Sequence, residues 1–477
     1  MGYFNDLFDY TRSFLYDQMT SKLSVSVDSV VMLLYQNKFR KTYNFLKNSQ
    51  NWDEKQIRVY QEKKLNELLC HSYKNVPYFK KIFNEMGLKP ENIKTLEDIH
   101  KIPFLTKETI RASPNEFISQ NFPSHKLRYL TTGGSTGKPL GFYVTKGVWD
   151  AEQIAYNKII YDEFGCNLNH KFVILRGYIS KYKDKKKFYE YSLFGKSLIL
   201  FPQYMDNKNL QDYVEKIRKF KPKFIITFPS IIMIIAKYMQ QNNLKPFSSV
   251  EVITCSSEIL DNYQQKMLED FFNCKVINMY GHAESAVLAY TCGDSNFFHF
   301  LPEYGIVELI DKNGKKVTKE GKKGEIVATG LNNFIFPFIR YRTGDIGIFT
   351  SAKCTCGRNC QLIKKIEGRY QDYVVSKTNK IYPSTSGFHG LIAKSTNNVI
   401  ECQMIQDTVG EIVLKIIKND KYSDKDEKHI KDKLLEKFGN EFDLFFEYVE
   451  QIPGGRWGRH KFFVQKLPVS IEDALRN

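Results

Sequence analysis

The chain has 477 residues, more than one ordinary hydrophobic core accommodates, so two or more packed units are expected. Hydrophobic residues make up 42% and aromatic residues 14% of the total, which favours a globular protein and argues against intrinsic disorder. Lys and Arg number 70 against 53 Asp and Glu, and the resulting charge of +17 suits an anionic substrate, an acidic lipid or nucleic acid.

The N-terminal residues carry no recognisable targeting signal. No stretch of the sequence approaches the roughly 18–20 consecutive apolar residues that span a bilayer. The first residues, MGYFND, lack the basic and then apolar segments of a secretory signal. Asp6 stands where a myristoylation signal has Ser or Thr. We therefore expect a cytoplasmic protein.

The first clear pattern along the chain is helical and covers residues 56–85, where apolar residues recur at steps of three and four until Pro77 interrupts the run. The apolar face is formed by Leu65, Leu68, Leu69 and Tyr73. Residues 96–106 then predict a short helix and a turn that leads into the core.

Short apolar runs next alternate with longer amphipathic stretches. The runs, typical of buried strands, are Phe172–Leu175, Phe224–Thr227, 250–254 and 276–279. The amphipathic stretches, typical of helices, are Leu210–Phe220, 231–241 and 259–272. Strand–helix–strand alternation of this kind predicts βαβ units and a largely parallel sheet.

Beyond these segments the pattern becomes β-rich, with Gly305–Ile310 and residues 324–329 predicted as strands of hairpins. A charged helix at Asp424–Phe438 and a last strand near residues 462–464 predict a small α+β unit. The expected fold class is α/β, with a large N-terminal domain of βαβ sheets plus a β-rich subdomain, and a small α+β C-terminal domain.

The segment with the clearest chemistry is residues 129–139, YLTTGGSTGKP, where a strand runs into a loop of Gly, Ser and Thr with one Lys. Glycines let backbone N–H groups approach a phosphate, hydroxyl groups add donors, and the lysine adds charge. A Walker loop is the obvious rival, but its first glycine would fall on Thr132 and its Mg²⁺-binding hydroxyl on Pro139. The segment therefore predicts a phosphate loop of another type, with an ordinary glycine-rich turn as the alternative.

This loop resembles the phosphate loop of the adenylate-forming superfamily, which includes acyl-CoA synthetases, nonribosomal peptide adenylation domains and firefly luciferase. Further matches follow in the family's order: YGHAE at 280–284, YRTGD at 341–345, IEGRYQD at 366–372 and IPGGRWGRHK at 452–461. The N-terminal segments 64–73, 76–79 and 96–106 resemble the opening of phenylacetate–CoA ligase-type proteins, a branch with members in capsule and other surface-polysaccharide biosynthesis. The resemblance covers nearly the whole chain.

The resemblance implies which residues contact ATP. The β- and γ-phosphates, which leave as pyrophosphate, would be held by Thr131, Thr132, Gly133, Gly134, Ser135, Thr136, Gly137 and Lys138. The adenine would lie beside the backbone at Ser257 and Glu258. It would stack on Tyr280, which precedes Gly281 in the next motif.

The same resemblance implies residues for the metal, the ribose and the reacting phosphate. Glu284 would bind Mg²⁺, a hard cation suited to carboxylate and phosphate oxygens. Asp345 would accept hydrogen bonds from both ribose hydroxyls. Arg369 would contact phosphate.

A hinge at Asp372 would divide an N-terminal adenylation domain, residues 1–371, from a mobile C-terminal domain, residues 372–477. The C-terminal loop departs from the family pattern, because Arg459 follows the glycine where relatives have a catalytic lysine. Arginine keeps the positive charge but has a wider, planar head, and Lys461 could substitute from two residues away. The alternatives are that adenylation is slow or that another group supplies the charge.

A second group of residues contains clustered cysteines. CTCGRNC at residues 354–360 packs three thiols into seven positions, with further Cys and His residues upstream. In a cytosolic enzyme such clustering favours metal over disulfides, and thiolates with one imidazole suit tetrahedral Zn²⁺. Relatives in the phenylacetate–CoA ligase-like branch carry a similar set that binds a structural zinc. The ligands implied here are Cys292, His299, Cys354 and Cys356, with Cys360 in reserve. Ordinary buried free cysteines remain the alternative.

These features predict an ATP-dependent, AMP-forming ligase that activates a small carboxylic acid and passes the acyl group to CoA or to an amine or hydroxyl group of a sugar. Its cofactors would be ATP, Mg²⁺ and structural Zn²⁺, and His282 and residues 228–230 are candidate lining for the acid pocket. A nucleotide-binding scaffold that has lost catalysis is the alternative that Arg459 keeps open. Nucleic-acid binding is weaker, because the basic residues are dispersed and no RNP, helix-turn-helix or zinc-finger pattern occurs.

Overall fold

A computed structural model describes residues 11–12, 15–16, 27–132, 139–167, 169–176, 188–192, 195–206, 208–384, 388–396, 398–452 and 462–475. Within these residues, no helix combines the length and the apolar character needed to cross a membrane.

The described residues form helices and strands in alternation. The α-helices are α1 (Val27–Leu34), α2 (Gln36–Ser49), α3 (Glu54–Asn75), α4 (Pro77–Glu85), α5 (Lys107–Ala112), α6 (Val148–Glu163), α7 (Leu210–Phe220), α8 (Pro229–Gln241), α9 (Asn262–Phe272), α10 (Phe388–Ser395), α11 (Asp424–Phe438) and α12 (Ile471–Ala474). The strands are β1 (Leu127–Thr131), β2 (Gly141–Thr145), β3 (Phe172–Leu175), β4 (Tyr189–Tyr191), β5 (Ser197–Leu200), β6 (Phe224–Thr227), β7 (Val252–Ser256), β8 (Lys275–Gly281), β9 (Leu288–Thr291), β10 (Phe298–Phe300), β11 (Gly305–Ile310), β12 (Lys323–Gly330), β13 (Tyr341–Phe349), β14 (Leu362–Arg369), β15 (Tyr373–Val375), β16 (Ile381–Pro383), β17 (Val399–Gln406), β18 (Glu411–Lys418), β19 (Asp443–Tyr448) and β20 (Phe463–Gln465).

The predicted N-terminal helical run is two helices, α3 and α4. The Asp53 carboxylate accepts a hydrogen bond from the backbone N–H of Gln56, whose side chain accepts one from the backbone of Asp53, so a capping box begins α3. Pro77 ends this helix and occupies the first turn of α4, where its missing N–H costs nothing.

A twelve-stranded sheet forms the large domain, in the order β11-β12-β13-β14-β10-β9-β8-β7-β6-β3-β5-β4. The strands from β5 through β3, β6 and β7 to β8 are parallel, as the βαβ pattern predicted. From β8 to β11 every pairing is antiparallel. The β-rich part of the sequence therefore continues the parallel sheet through β9 and β10. The expected α/β fold class is confirmed.

Alternate residues of the central strands face opposite helical layers. In β3, Val173 and Leu175 pack with α7, α8 and α9, whereas Phe172 packs with α6 on the other face. In β6, Ile225 faces the first layer and Phe224 the second, where its ring stacks on Phe172 at 4.9 Å. Each fully buried side chain of this kind stabilises the fold by about 1.5–3 kcal/mol. Because both faces of these strands are buried against helices, a change of register would displace the apolar side chains from their packing. The ends of these strands, which carry the site, are therefore fixed in position.

The C-terminal domain is a smaller α/β unit. Its four-stranded sheet has the order β19-β18-β17-β20, with helices α10 and α11 contributing to its core. The chain reaches it from β14 through a short 3₁₀ helix, Tyr370–Asp372, and the hairpin β15–β16.

Candidate active site

The carboxyl ends of β3, β6, β7 and β8 lie along one edge of the parallel sheet, where open α/β folds bind their ligands. The residues directly after these strands are Arg176, Phe228, Ser257 and His282, respectively. The motif residues around 257 and 280 are therefore brought together by the parallel strand order.

Tyr280, Asp345 and Arg369 come from different motifs and form one connected group. The Tyr280 hydroxyl donates to Asp345 Oδ2 at 2.8 Å, and Arg369 Nε lies 3.5 Å from Asp345 Oδ1. Asp345 and Arg369 face each other across β13 and β14, so sheet pairing sets this contact. Burial works to lower the pKa of Arg369, but Asp345 and other neighbouring negative groups raise it on balance. The guanidinium is thus held charged beside the expected ribose and phosphate positions.

Two motif glycines shape the backbone at this group. Gly344 has φ +81° and Gly368 has φ +101°, values that L side chains rarely adopt. A Cβ on Gly368 would also lie 2.3 Å from Ile259 Cδ1. The glycines beside Asp345 and Arg369 are therefore required by geometry.

Glu284 is buried, with 4% of its surface exposed. The Tyr341 hydroxyl donates to its Oε1 at 2.7 Å, and His282 Nδ1 lies 3.3 Å from its Oε2. Burial acts to raise the pKa of this carboxyl, but the neighbouring imidazole, the Lys107 ammonium and the tyrosine hydroxyl outweigh it and hold the pKa well below its ordinary value. Glu284 therefore remains an anionic oxygen donor, which is what a hard divalent cation prefers.

Lys107 belongs to the site although the sequence analysis did not identify it. Residue 105 forms a parallel β-bridge with Tyr341, at the start of the strand that carries Asp345. The bridge brings the first turn of α5 next to the site, where burial and Arg369 lower the pKa of Lys107. The negative charges of Glu284 and Asp345 act to raise the pKa of Lys107, so its ammonium group interacts with both carboxylates. Its sequence context, a lysine after a helix cap, gave no signal, because the bridge joins segments far apart in the chain.

Ser257 and Glu258 follow β7 beside the expected adenine position. Ser257 has φ +69°, and its hydroxyl accepts a hydrogen bond of 2.8 Å from Arg176. Glu258 accepts one of 3.0 Å from the backbone N–H of Ser230, in the first turn of α8. A carboxylate at a helix N-terminus is electrostatically favourable. The hydrogen bond between Ser230 and Glu258 joins the ends of β6 and β7. Residues 228–230, which were predicted to line the acid pocket, lie at this part of the sheet edge.

The segment predicted to bind phosphate lies between the two strands of the hairpin β1–β2. Thr131 ends β1 opposite Gly141. The base of the loop is closed by Thr132, whose N–H donates to Leu140 O and whose hydroxyl accepts from Leu140 N–H, both at 2.9 Å. Because a strand follows the loop, the arrangement differs from the strand–loop–helix of a Walker site. The remaining loop candidates lie outside the described residues: Gly133, Gly134, Ser135, Thr136, Gly137 and Lys138.

The hinge candidate Asp372 lies in the 3₁₀ helix that follows β14, where the chain leaves the large sheet. Its charge contributes to the raised pKa of Arg369, so the junction is electrostatically linked to the site. Arg459 and Lys461, the candidates of the C-terminal loop, lie outside the described residues.

The cysteine and histidine candidates meet in one cluster. The ligand atoms of Cys292, His299, Cys354 and Cys356 all lie within 4.8 Å of one another. The Sγ atoms of Cys292 and Cys354 are 3.5 Å apart, and Cys356 Sγ is 3.3 Å from His299 Nε2. Tetrahedral Zn²⁺ with bonds of about 2.3 Å requires sulfur atoms about 3.8 Å apart, close to this spacing. Cys360, the reserve candidate, is not part of the cluster among the described residues.

The histidine of this cluster is already oriented as a ligand. His299 Nδ1 lies 2.9 Å from the backbone carbonyl of Phe297, so it donates there and leaves Nε2 free to face the thiols. Metal-binding histidines commonly have this type of second hydrogen bond. The donor set and its geometry therefore fit zinc.

Comparisons with known proteins agree with this fold. A family model described as AMP-binding enzyme matches residues 89–335, more than half of the chain, and one described as CapK C-terminal domain matches residues 375–466. The chain is 28% identical to Protein CapK of Staphylococcus aureus over 415 residues, which cover 85% of this chain and 89% of that protein. It is 24% identical to a phenylacetate-coenzyme A ligase of Thermus thermophilus over 351 residues, which cover 69% of this chain and 74% of that protein.

The fold is also similar to a solved structure of 2-hydroxyisobutyryl-CoA ligase in its postadenylation state, in complex with R3-HIB-AMP. The TM-score is 0.72 at 16% sequence identity, and the match covers 88% of this chain and 92% of that one. Family models, relatives and fold lead to the same conclusion as the ordered motifs: the chain belongs to the adenylate-forming AMP-binding enzymes, in their phenylacetate-CoA ligase-like and CapK-like branch.

Proposed function

We propose that the protein activates a small carboxylic acid with ATP, forming an acyl-adenylate and pyrophosphate, and then transfers the acyl group to an acceptor. The observation that carries the proposal is the connected group at the sheet edge. Tyr280 and Glu284 come from one motif, and Asp345 and Arg369 from two others. The fold assembles the four residues with the charges that a nucleotide requires. A protein retaining only the fold would have no need of this charge arrangement.

In the first step a carboxylate oxygen of the acid attacks the α-phosphorus of ATP. The new bond joins the acid to AMP, and the bond to the β-phosphate oxygen breaks and releases pyrophosphate. Arg369 and Lys107, which both interact with Glu284 and Asp345, would stabilise the negative charge that accumulates on the phosphates, and the fixed ends of the strands would hold the reactants in place. Mg²⁺, held by Glu284 with ATP, would supply further neutralisation of the phosphates.

In the second step a nucleophile on the acceptor attacks the acyl carbon and releases AMP. The acceptor is CoA, or an amine or hydroxyl group of a sugar. We propose residues 372–477 as the mobile domain, with its pivot at Asp372, so that one face of the domain serves each step. A role in surface-polysaccharide synthesis is supported by the resemblance of the opening segments to the branch that has members in this biosynthesis.

An ATP–pyrophosphate exchange screen with a panel of carboxylic acids tests this function. We expect exchange that depends on the acid and on Mg²⁺, because the reversal of adenylation regenerates labelled ATP. Binding of ATP measured by calorimetry, without exchange for any acid, would favour the alternative function, a nucleotide-binding scaffold of a biosynthetic complex.

We further propose that the cluster of Cys292, His299, Cys354 and Cys356 binds one structural Zn²⁺. A closed four-ligand site contributes folding energy and has no open position for substrate. The cluster also joins the strands β9 and β10 to the segment before β14, so a metal would tie together the antiparallel half of the sheet.

Protein purified without chelator is expected to contain about one zinc per chain. Cys354→Ser should lower the metal content and lower the melting temperature, while the exchange rate of the remaining folded protein changes little. Cys70→Ser is the matched control, because Cys70 is exposed on α3 and is not a member of the cluster. Elemental analysis that finds no zinc in the wild-type protein would rule out the proposal.

A further inference from the structure

One hairpin of the large domain carries a cluster of lysines that has no role in the proposed reaction. The hairpin connects β11 to β12, and the connecting residues 312–322 have the sequence KNGKKVTKEGK. We call these residues the lysine hairpin. Its exposed lysines are Lys312, Lys315, Lys316, Lys319 and Lys322. This concentration of charge departs from the dispersed distribution that the sequence analysis described.

The backbone of the lysine hairpin is fixed to the sheet. Val317 is buried in the core of the large domain, and its N–H donates to Leu309 O at 2.8 Å. On either side of it the chain makes a turn that contains a glycine with positive φ, Gly314 at +74° and Gly321 at +73°. A Cβ added to Gly321 would meet no atom within 4 Å, so the second turn faces open space. The two turns therefore present their lysines at defined places on the surface.

Nearby carboxylates do not balance the five positive charges. No ion pair joins any of these lysines to an acidic side chain within the described ranges. The two carboxylates of the turns are otherwise engaged: Asp311 accepts hydrogen bonds from the backbone N–H groups of Asn313 and Lys315, and Glu320 accepts them from Ser351. The residues outside the described ranges are themselves basic in sum, and their acids are Asp6, Asp9, Asp17 and Asp184.

Such a cluster is unfavourable for the folded chain alone. Like charges held close together repel one another, and the repulsion is relieved when the chain unfolds. Helix α11 shows how the same residue type is otherwise balanced, because Lys431 pairs with Glu427 at 2.6 Å. Residues 372–477 contain equal numbers of basic and acidic residues, so the whole surplus of +17 belongs to residues 1–371. The lysine hairpin is therefore better explained by an anionic partner than by stability.

The composition of the hairpin selects the class of partner. Protein interfaces are depleted in lysine and have an apolar centre, but the hairpin exposes no apolar side chain. Single-stranded nucleic acid is bound by a basic groove with aromatic rings for the bases, and the arginine fork is the usual reader of phosphate. The hairpin contains neither an aromatic residue nor an arginine. A surface of anionic lipid headgroups requires only a cluster of basic residues, which it attracts without a fixed contact.

The lysine hairpin lies apart from the nucleotide group. The N–H of Phe349 donates to Lys322 O at 2.8 Å, which places the second turn beside the end of β13. Asp345 lies four residues earlier on this strand, about 13 Å away at the rise of an extended chain. None of the five lysines is a proposed ligand of ATP or metal, so their replacement should leave the nucleotide site intact.

We propose that the lysine hairpin binds the protein reversibly to a bilayer that contains anionic lipids. The attraction is electrostatic, because Val317 packs into the core and the hairpin offers no apolar side chain to the bilayer. Salt should screen it, since the Debye length falls from about 30 Å at 0.01 M to about 3 Å at 1 M ionic strength. The inference does not depend on the proposed ligase function and stands if adenylation is absent.

Co-sedimentation of the full-length protein with vesicles tests this inference. The vesicles contain phosphatidylcholine alone or mixed with phosphatidylglycerol. We expect binding to the mixed vesicles only, at low ionic strength, and its loss in high salt. The variant Lys315→Gln/Lys316→Gln/Lys319→Gln should bind the mixed vesicles about 10²-fold more weakly, because each lysine near an anionic surface contributes about a fivefold factor. An unchanged melting temperature would show that the loss is not one of folding.

A charge-matched variant is the control. Lys421→Gln/Lys425→Gln/Lys428→Gln removes the same charge from exposed positions at the start of α11 and should bind like the wild type. Three results would overturn the inference. The first is no sedimentation with the mixed vesicles at low salt. The second is an equal loss of binding in the control, which would assign the attraction to net charge. The third is hairpin-dependent binding of duplex DNA that is tighter than vesicle binding at the same salt, which would identify nucleic acid as the partner.

Discussion

Glu284→Gln is expected to lower the rate of acid-dependent ATP–pyrophosphate exchange by about 10²–10³-fold, the usual effect of removing one group that stabilises charge in the transition state. The amide keeps the size of the side chain and its contact with Tyr341, but removes the negative charge that a hard cation needs. Because the low pKa keeps Glu284 ionised, the loss should be similar throughout the neutral pH range. Steady-state exchange measured over a series of Mg²⁺ concentrations checks the result, and excess Mg²⁺ should not restore the rate.

A second buried glutamate separates the chemical effect from a structural one. Glu308 accepts two hydrogen bonds, at 2.9 and 3.0 Å, from the buried guanidinium of Arg340, and neither residue is a proposed nucleotide or metal ligand. Breaking a buried ion pair is strongly destabilising, so Glu308→Gln should lower the melting temperature while the folded protein keeps its exchange rate. A normal exchange rate in Glu284→Gln would remove this residue from the metal site.

The parallel half of the sheet could be predicted from the sequence because its strands are buried on both faces and form continuous apolar runs. No such pattern in the sequence indicates that the antiparallel half belongs to the same sheet. Its attachment depends on the pairing of β10 with both β9 and β14, and no local pattern specifies a pairing between distant segments. The local pattern of strands and turns therefore predicts a β-rich subdomain, whereas its continuity with the main sheet is a property of the fold.

The same distinction applies to the site. Tyr280, Glu284, Asp345 and Arg369 belong to motifs whose spacing and order can be recognised along the chain. Lys107 reaches them only through the bridge between residue 105 and Tyr341. Residues that join a site through tertiary contacts alone leave no pattern in a single sequence.

Two of the cations expected to assist adenylation, Arg459 in the C-terminal loop and Lys107 in the large domain, should behave differently in the two half-reactions. Arg459→Ala should lower acyl-adenylate formation by about 10²–10³-fold, as expected for one transition-state donor. It should leave acyl transfer from a supplied acyl-adenylate nearly unchanged, since the proposed rotation of residues 372–477 would carry Arg459 away. Lys107→Met should lower both rates, because Lys107 lies in the large domain and interacts with Glu284 and Asp345. Single-turnover measurements of each half-reaction check both expectations.

Conservative variants sharpen this comparison. Arg459→Lys should retain or raise the rate of adenylation, because the compact ammonium is the group that relatives use at this position. If Lys461→Ala gives the selective loss and Arg459→Ala does not, the catalytic position is two residues further along the loop. If Lys107→Met alone impairs adenylation and both loop variants are normal, the buried lysine beside Glu284 supplies the charge for this step. The departure at Arg459 would then be tolerated because a cation of the large domain already neutralises the α-phosphate.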